Sequence, residues 1–156
     1  MTVRRTLACT LLPSLLLALA ACGVRGASDY NKGVEAGRAG SYGSAVEHYT
    51  AAIAANPEFT EAWYNRGNAE LHLAWEAALA KRDADAAKFW RACTADKKKA
   101  KELMDRGVFF VLPEGEREAV KAQAAKTVSK LEVLEKLQPD DAVIANALRV
   151  MPEPEK

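Results

Sequence analysis

Ser41-Tyr42-Gly43-Ser44-Ala45-Val46-Glu47-His48-Tyr49-Thr50-Ala51-Ala52-Ile53-Ala54-Ala55-Asn56-Pro57 carries the pattern from which the fold follows. Tyr42, Ala45, Val46, Tyr49, Ala52 and Ile53 recur at helical spacing, and Ser44, Glu47 and Thr50 fall on the opposite face. An apolar stripe of this kind needs a partner. Pro57 has no amide proton and its ring disfavours helical geometry at Asn56, so the chain turns there. Beyond the turn, Trp63, Gly67, Ala74 and Ala78 resume the pattern, and two antiparallel helices are the simple outcome.

A glycine within a helix costs roughly 1 kcal/mol relative to alanine, so Gly67 implies a neighbour that needs the space. Gly33 sits thirty-four residues earlier in the same setting: Asp29-Tyr30-Asn31-Lys32-Gly33 against Trp63-Tyr64-Asn65-Arg66-Gly67. Self-similarity at that period marks a helix-turn-helix repeat. On these residues the chain resembles the tetratricopeptide repeat (TPR) family. One repeat, from Gly26 to Pro57, matches in Gly33, Gly40, Tyr42, Ala45, Tyr49, Ala52 and Pro57, and a second begins at Trp63 and Gly67. The expected fold is all-α: antiparallel helical hairpins of TPR type, about two repeats with the second elongated, plus C-terminal helices. The elongation shows where the partner-helix pattern Ala45-Tyr49-Ala52 returns late, as Ala86, Trp90 and Cys93, about two helical turns beyond the usual place.

The N-terminus reads as an export signal. Arg4 and Arg5 precede an apolar run, Leu7 to Ala21, that is short for a bilayer span. It ends in Leu19-Ala20-Ala21-Cys22, which resembles a bacterial lipobox and implies cleavage before Cys22 and lipidation of that cysteine. Loss of Met1 to Ala21, with two arginines and no acid, turns a formal charge of +1 into −1. Such a balance gives no reason to expect nucleic acid. Gly23 after the cysteine points, by the rule of that family, to the outer membrane of a bacterial envelope, facing the periplasm. Residues 22–28 form a lipidated tether, 29–150 the helical domain and 151–156 a disordered tail.

Within the domain, Ser28 or Asp29 is placed to cap the first helix, Thr60 or Glu58 the third, an aspartate of Arg82-Asp83-Ala84-Asp85 the fourth, and Asp140 or Asp141 the last. Gly107 stops the fourth helix, and Val108-Phe109-Phe110-Val111-Leu112 has no second run to pair with as a strand, so it reads as a buried connector. Glu116 to Leu137 carries Val120, Ala124, Val128, Leu131 and Leu134 at helical spacing. Cys93 lies on the apolar stripe with Ala86 and Trp90 and is expected buried and inert. Lys97 to Lys101, flanked by Asp96, Glu102 and Asp105, reads as an exposed helix face.

Catalysis has little to work with. No phosphate loop, paired-cysteine metal motif or serine elbow is present, and His72 with Glu76 makes two ligands at most. No enzyme activity, cofactor or metal is expected. In TPR proteins the first helix of each repeat lines a concave groove for a peptide or a partner helix. The resemblance places Tyr30, Asn31, Val34 and Arg38 on that face from the first repeat, and Glu61, Tyr64, Asn65, Asn68, Leu71 and His72 from the second. The expected function is a membrane-anchored adaptor holding a protein or peptide partner, or a second copy of the chain. A pilotin-like assembly factor for an outer-membrane pilus or secretion complex, and a periplasmic small-molecule binder or enzyme, are the alternatives.

Overall fold

The computed structural model describes residues 23–136 and 140–154. The expectations for the leader, the lipidated Cys22 and Leu137-Gln138-Pro139 lie outside the described residues. The protein is all-α, with six helices among the described residues: α1 Ala27–Arg38, α2 Tyr42–Ala55, α3 Thr60–Leu79, α4 Asp83–Asp105, α5 Glu114–Lys136 and α6 Asp141–Val150. α1 with α2 and α3 with α4 form helical hairpins, α2 packs on α3, and α4 is the hub against which α5 and α6 both lie.

The stops between helices follow from local chemistry. Gly40 takes a left-handed conformation (φ 74) after α1, and the Ser41 amide bonds back to the Ala36 carbonyl at 2.9 Å, closing the last turn. No glycine stands at the equivalent place after α3; Lys81 adopts φ 58 there and the Arg82 amide reaches the Ala77 carbonyl at 2.9 Å. Asn56, before Pro57, is extended (φ −143, ψ 95) as the proline requires.

Several expected caps are used otherwise. α1 starts at Ala27 behind Gly26, and neither Ser28 nor Asp29 caps it. Gly26 presses on the end of α2, where an added Cβ would sit 2.6 Å from the Ala52 carbonyl oxygen, and that fixes the entry of the chain. Thr60 begins α3 and donates its hydroxyl to the Val108 carbonyl at 2.7 Å, forty-eight residues away. Asp83 lies inside the first turn of α4 and receives the Arg149 guanidinium instead of a backbone amide. Asp140 does cap α6, accepting the Val143 amide at 2.8 Å.

Among the described residues the core falls into three clusters. Tyr42, Ala45, Tyr49, Ala52 and Ile53 of α2 pack on Phe59, Ala62 and Ala69, as the stripe on α2 dictates. Small residues let α3 and α4 approach closely: Ala74, Ala77 and Ala78 meet Ala86, Ala87 and Trp90, with Leu131, Ile144, Ala145 and Leu148 closing the other side. Ala100, Met104 and Ala124 join α4 to α5. The run from Val108 to Leu112 is a connector without strand, but it is only partly buried, with Phe110 and Val111 exposed.

Candidate binding cleft

A cleft of about 200 Å³ opens between α1, α2 and α3, lined by Val34, Gly37 and Arg38, by Tyr42 and Tyr49, and by Asn65, Asn68, Ala69 and His72. Five of the residues placed on the groove by sequence converge here: Val34, Arg38, Asn65, Asn68 and His72. His72 is buried and stacks on Tyr42, ring centroids 4.0 Å apart and nearly parallel at 7°. Gly37 keeps one wall low; an added Cβ there would meet only the Tyr49 hydroxyl, at 3.9 Å.

The two asparagines are each half engaged. Asn65 donates its amide to the Tyr30 hydroxyl at 3.0 Å, which leaves its carbonyl oxygen as an acceptor. Asn68 accepts the Lys97 ammonium on its carbonyl oxygen, which leaves its amide protons to donate. Residues three apart on a helix are neighbours, so α3 presents an acceptor and a donor side by side, the pair a peptide bond can answer. Tyr49's hydroxyl is pushed well above its ordinary pKa, first by burial, and stays a neutral donor.

The remaining groove residues lie elsewhere. Tyr30 is a packing residue, stacked on Phe59 with centroids 4.8 Å apart. Asn31 is exposed on α1 outside the cleft. Leu71 packs against the α3–α4–α6 cluster, and Tyr64 lies against the α4–α5 cluster under the Lys97 ammonium, 3.4 Å from the ring centroid. Glu61 is buried: one of its oxygens accepts the amides of Phe110, Val111 and Leu112 at 2.9, 3.0 and 3.0 Å, so it ties down the connector. Gly37, Tyr42, Tyr49 and Ala69 complete the lining and were not expected there. Tyr42 and Tyr49 stand on the α2 stripe, which sequence assigns to packing; their rings serve the core and the cleft wall at once.

Behind the cleft, the α3–α4 interface holds charge that the reading of an exposed lysine face does not anticipate. Lys97 is 1 % exposed and Asp96 4 %. Asp96 receives Arg66 through two hydrogen bonds, Nε–Oδ2 at 2.6 Å and Nη2–Oδ1 at 2.8 Å, while Arg66 also donates to Thr50 at 3.0 Å and lies over Trp63. Glu70 faces the same Asp96. Burial first, and then that neighbouring carboxylate, lift its pKa to about 8. Burial lowers Lys97 to about 8 and raises the enclosed Cys93 thiol to about 12. Cys93 is thus buried and protonated. Lys98, Lys99 and Lys101 are partly open, with Lys99 and Lys101 paired to Glu102 and Asp105.

Among the described residues no cluster of three or more histidine, cysteine or acidic side chains is arranged to hold a metal, and no helix is long and apolar enough to cross a membrane. The fold and its cleft define the class: an all-α domain of helical hairpins, with a cleft between α1, α2 and α3. Comparison with protein-family models, with curated proteins and with solved structures finds no match to this chain.

Proposed function

We propose that this chain is a TPR-like lipoprotein that tethers a protein partner at the bacterial envelope, binding an extended segment of it in the cleft between α1, α2 and α3. The observation that carries the reading is the pairing of Asn65 and Asn68 in that cleft, one with a carbonyl oxygen and the other with amide protons left to offer. The aromatic walls of Tyr42, Tyr49 and His72 supply apolar area around that polar pair. A cleft of about 200 Å³ is small for a drug-sized ligand and suits a short stretch of extended chain. The anchor is a separate part of the proposal and rests on Leu19-Ala20-Ala21-Cys22. Two or more acyl chains on one cysteine, at about 0.8 kcal/mol per buried methylene, hold a protein durably on a membrane.

Crosslinking of the intact protein in its native envelope tests the adaptor. Gly37→Leu fills the cleft at a position where an added Cβ meets only the Tyr49 hydroxyl, at 3.9 Å, and Val34→Glu places a charge on its wall. Both are expected to abolish the crosslinked product while leaving the fold intact by circular dichroism. Persistence of every crosslink in both variants would end the adaptor reading. Cys22→Ser is expected to move the protein from the membrane fraction to the soluble one; unchanged fractionation removes the anchor.

A further inference from the structure

Beyond α6 the chain turns back across α3. Met151 leaves the helix extended (φ −74, ψ 146), and its carbonyl accepts the Trp75 indole N–H at 3.3 Å. Just before it, Arg149 donates to the Ala78 carbonyl at 2.8 Å, so the direction of travel is from the end of α3 towards His72. Pro152 and Pro154 exclude helix and stiffen the segment into an extended form. Pro152 and Glu153 are exposed and Pro154 is half-buried, so the segment keeps to the surface of the domain and meets it at Pro154. The charge of Glu153 is felt at the Tyr42 hydroxyl, whose pKa is raised by burial first and by Glu153 next.

Tyr42 and His72 form the stacked pair at one end of the cleft, and Arg38 stands on the cleft wall. Arg38 makes no hydrogen bond or ion pair with any described residue, although it is the cation that lines the cleft. An acidic, proline-spaced segment therefore arrives at the edge of an aromatic cleft with an uncommitted guanidinium. Glu76, exposed on α3, is a second carboxylate whose charge is felt at Tyr42.

We infer that the segment Pro152-Glu153-Pro154 is a strap in cis, which lies over the Tyr42–His72 end of the cleft and competes there with the extended segment of a partner. The inference rests on the cleft being the binding site proposed above. A covalently attached competitor acts at an effective concentration on the order of millimolar, so even a weak strap raises the threshold for a partner.

The probe is the synthetic peptide Met-Pro-Glu-Pro-Glu-Lys, titrated by NMR into the full chain in detergent and into the same chain ended at Met151, which keeps the Trp75 contact. Ending the chain is expected to shift the His72, Tyr42 and Asn68 side-chain signals. Added peptide should return them saturably towards their full-chain positions, with affinity for the full chain at least tenfold lower and a severalfold loss in Arg38→Gln. If the shortened chain does not fold, Glu153→Lys in the full chain must move the same signals. Coincident signals in the full and altered chains, or a peptide that moves none of them, overturns the strap. The two readings separate cleanly in the envelope. Crosslinks lost in Gly37→Leu with no strap signature leave the adaptor standing alone, whereas strap signals with crosslinks indifferent to Gly37→Leu leave the strap and remove the partner site.

Discussion

At Gly33 an added methyl would lie 2.6 Å from Cε1 and 2.7 Å from Cδ1 of Tyr49, whereas at Gly67 it would meet Asp96 Cβ and Lys97 Cγ and Cε at 3.3 Å. The first crossing is blocked by a buried ring, and the second is tight against groups that can yield by tenths of an ångström. Alanine gains about 1 kcal/mol over glycine in a helix, and overpacking costs roughly 1–3 kcal/mol. Gly33→Ala, at 2.6 Å from a buried ring, takes the upper part of that cost and is expected to lose about 1–2 kcal/mol net, and Gly67→Ala to fall within about 1 kcal/mol of the parent, by urea unfolding. Equal losses at both would mean that the two crossings are not built differently. The glycines themselves were legible, because glycine weakens a helix unless a neighbour crosses closely, and here it recurs in two like contexts. What faces Gly67 was not. Ala86, Trp90 and Cys93 copy the pattern of Ala45, Tyr49 and Ala52, yet the longer α3 and α4 shift the crossing along α4 by about two turns, from Trp90 to Lys97.

Elements are joined here by single polar side chains as much as by apolar stripes, and Glu61 is the clearest case. Placed in the first turn of α3, its carboxylate gains from the helix dipole, and it also gathers three consecutive amides of the connector between α4 and α5. Its second oxygen is buried with no hydrogen-bond partner among the described residues. Glu61→Gln keeps an acceptor for those amides and is expected to be mild. Glu61→Ala orphans them and should cost roughly 2–3 kcal/mol, with faster hydrogen exchange at Phe110, Val111 and Leu112 as the local signature. Unchanged exchange at those three amides would refute the role. The helices and their order were readable from periodicity and from Gly40, Pro57 and Gly107; Glu61 was not, since its partners lie 49 to 51 residues away. Lys97 offered a signal that the lysine run concealed: Cys93, Lys97, Ala100 and Met104 share one helical face, so one lysine of the run points inward.

For the whole molecule, the buried charges between α3 and α4 set how stability follows pH. Glu70 binds its proton up to about pH 8 in the folded chain and only to its ordinary carboxylate value when unfolded. Between those values the folded state holds more protons, so stability is full below the unfolded pKa and falls as pH rises through about 8, by up to about 1.4 kcal/mol per pH unit. Lys97 has the opposite sign. Its folded pKa of about 8 lies below its unfolded value, so it adds stability as pH rises from about 8 towards the unfolded pKa. Cys93, raised to about 12, loses stability for the molecule over the upper part of that range and beyond. The expected profile of Tm is a decline from about pH 5 to 8, an arrest just above 8, and a second decline at higher pH. Glu70→Gln, which keeps the shape of the protonated side chain, should remove the first decline and leave the protein the more stable at pH 8. Lys97→Met should remove the arrest, because the neutral chain fills the same space beside Gly67 without the ammonium. A flat profile from pH 5 to 8 in the parent, or one that Glu70→Gln does not alter, would mean that Glu70 is ionised beside Asp96 and that the α3–α4 interface tolerates both charges at once.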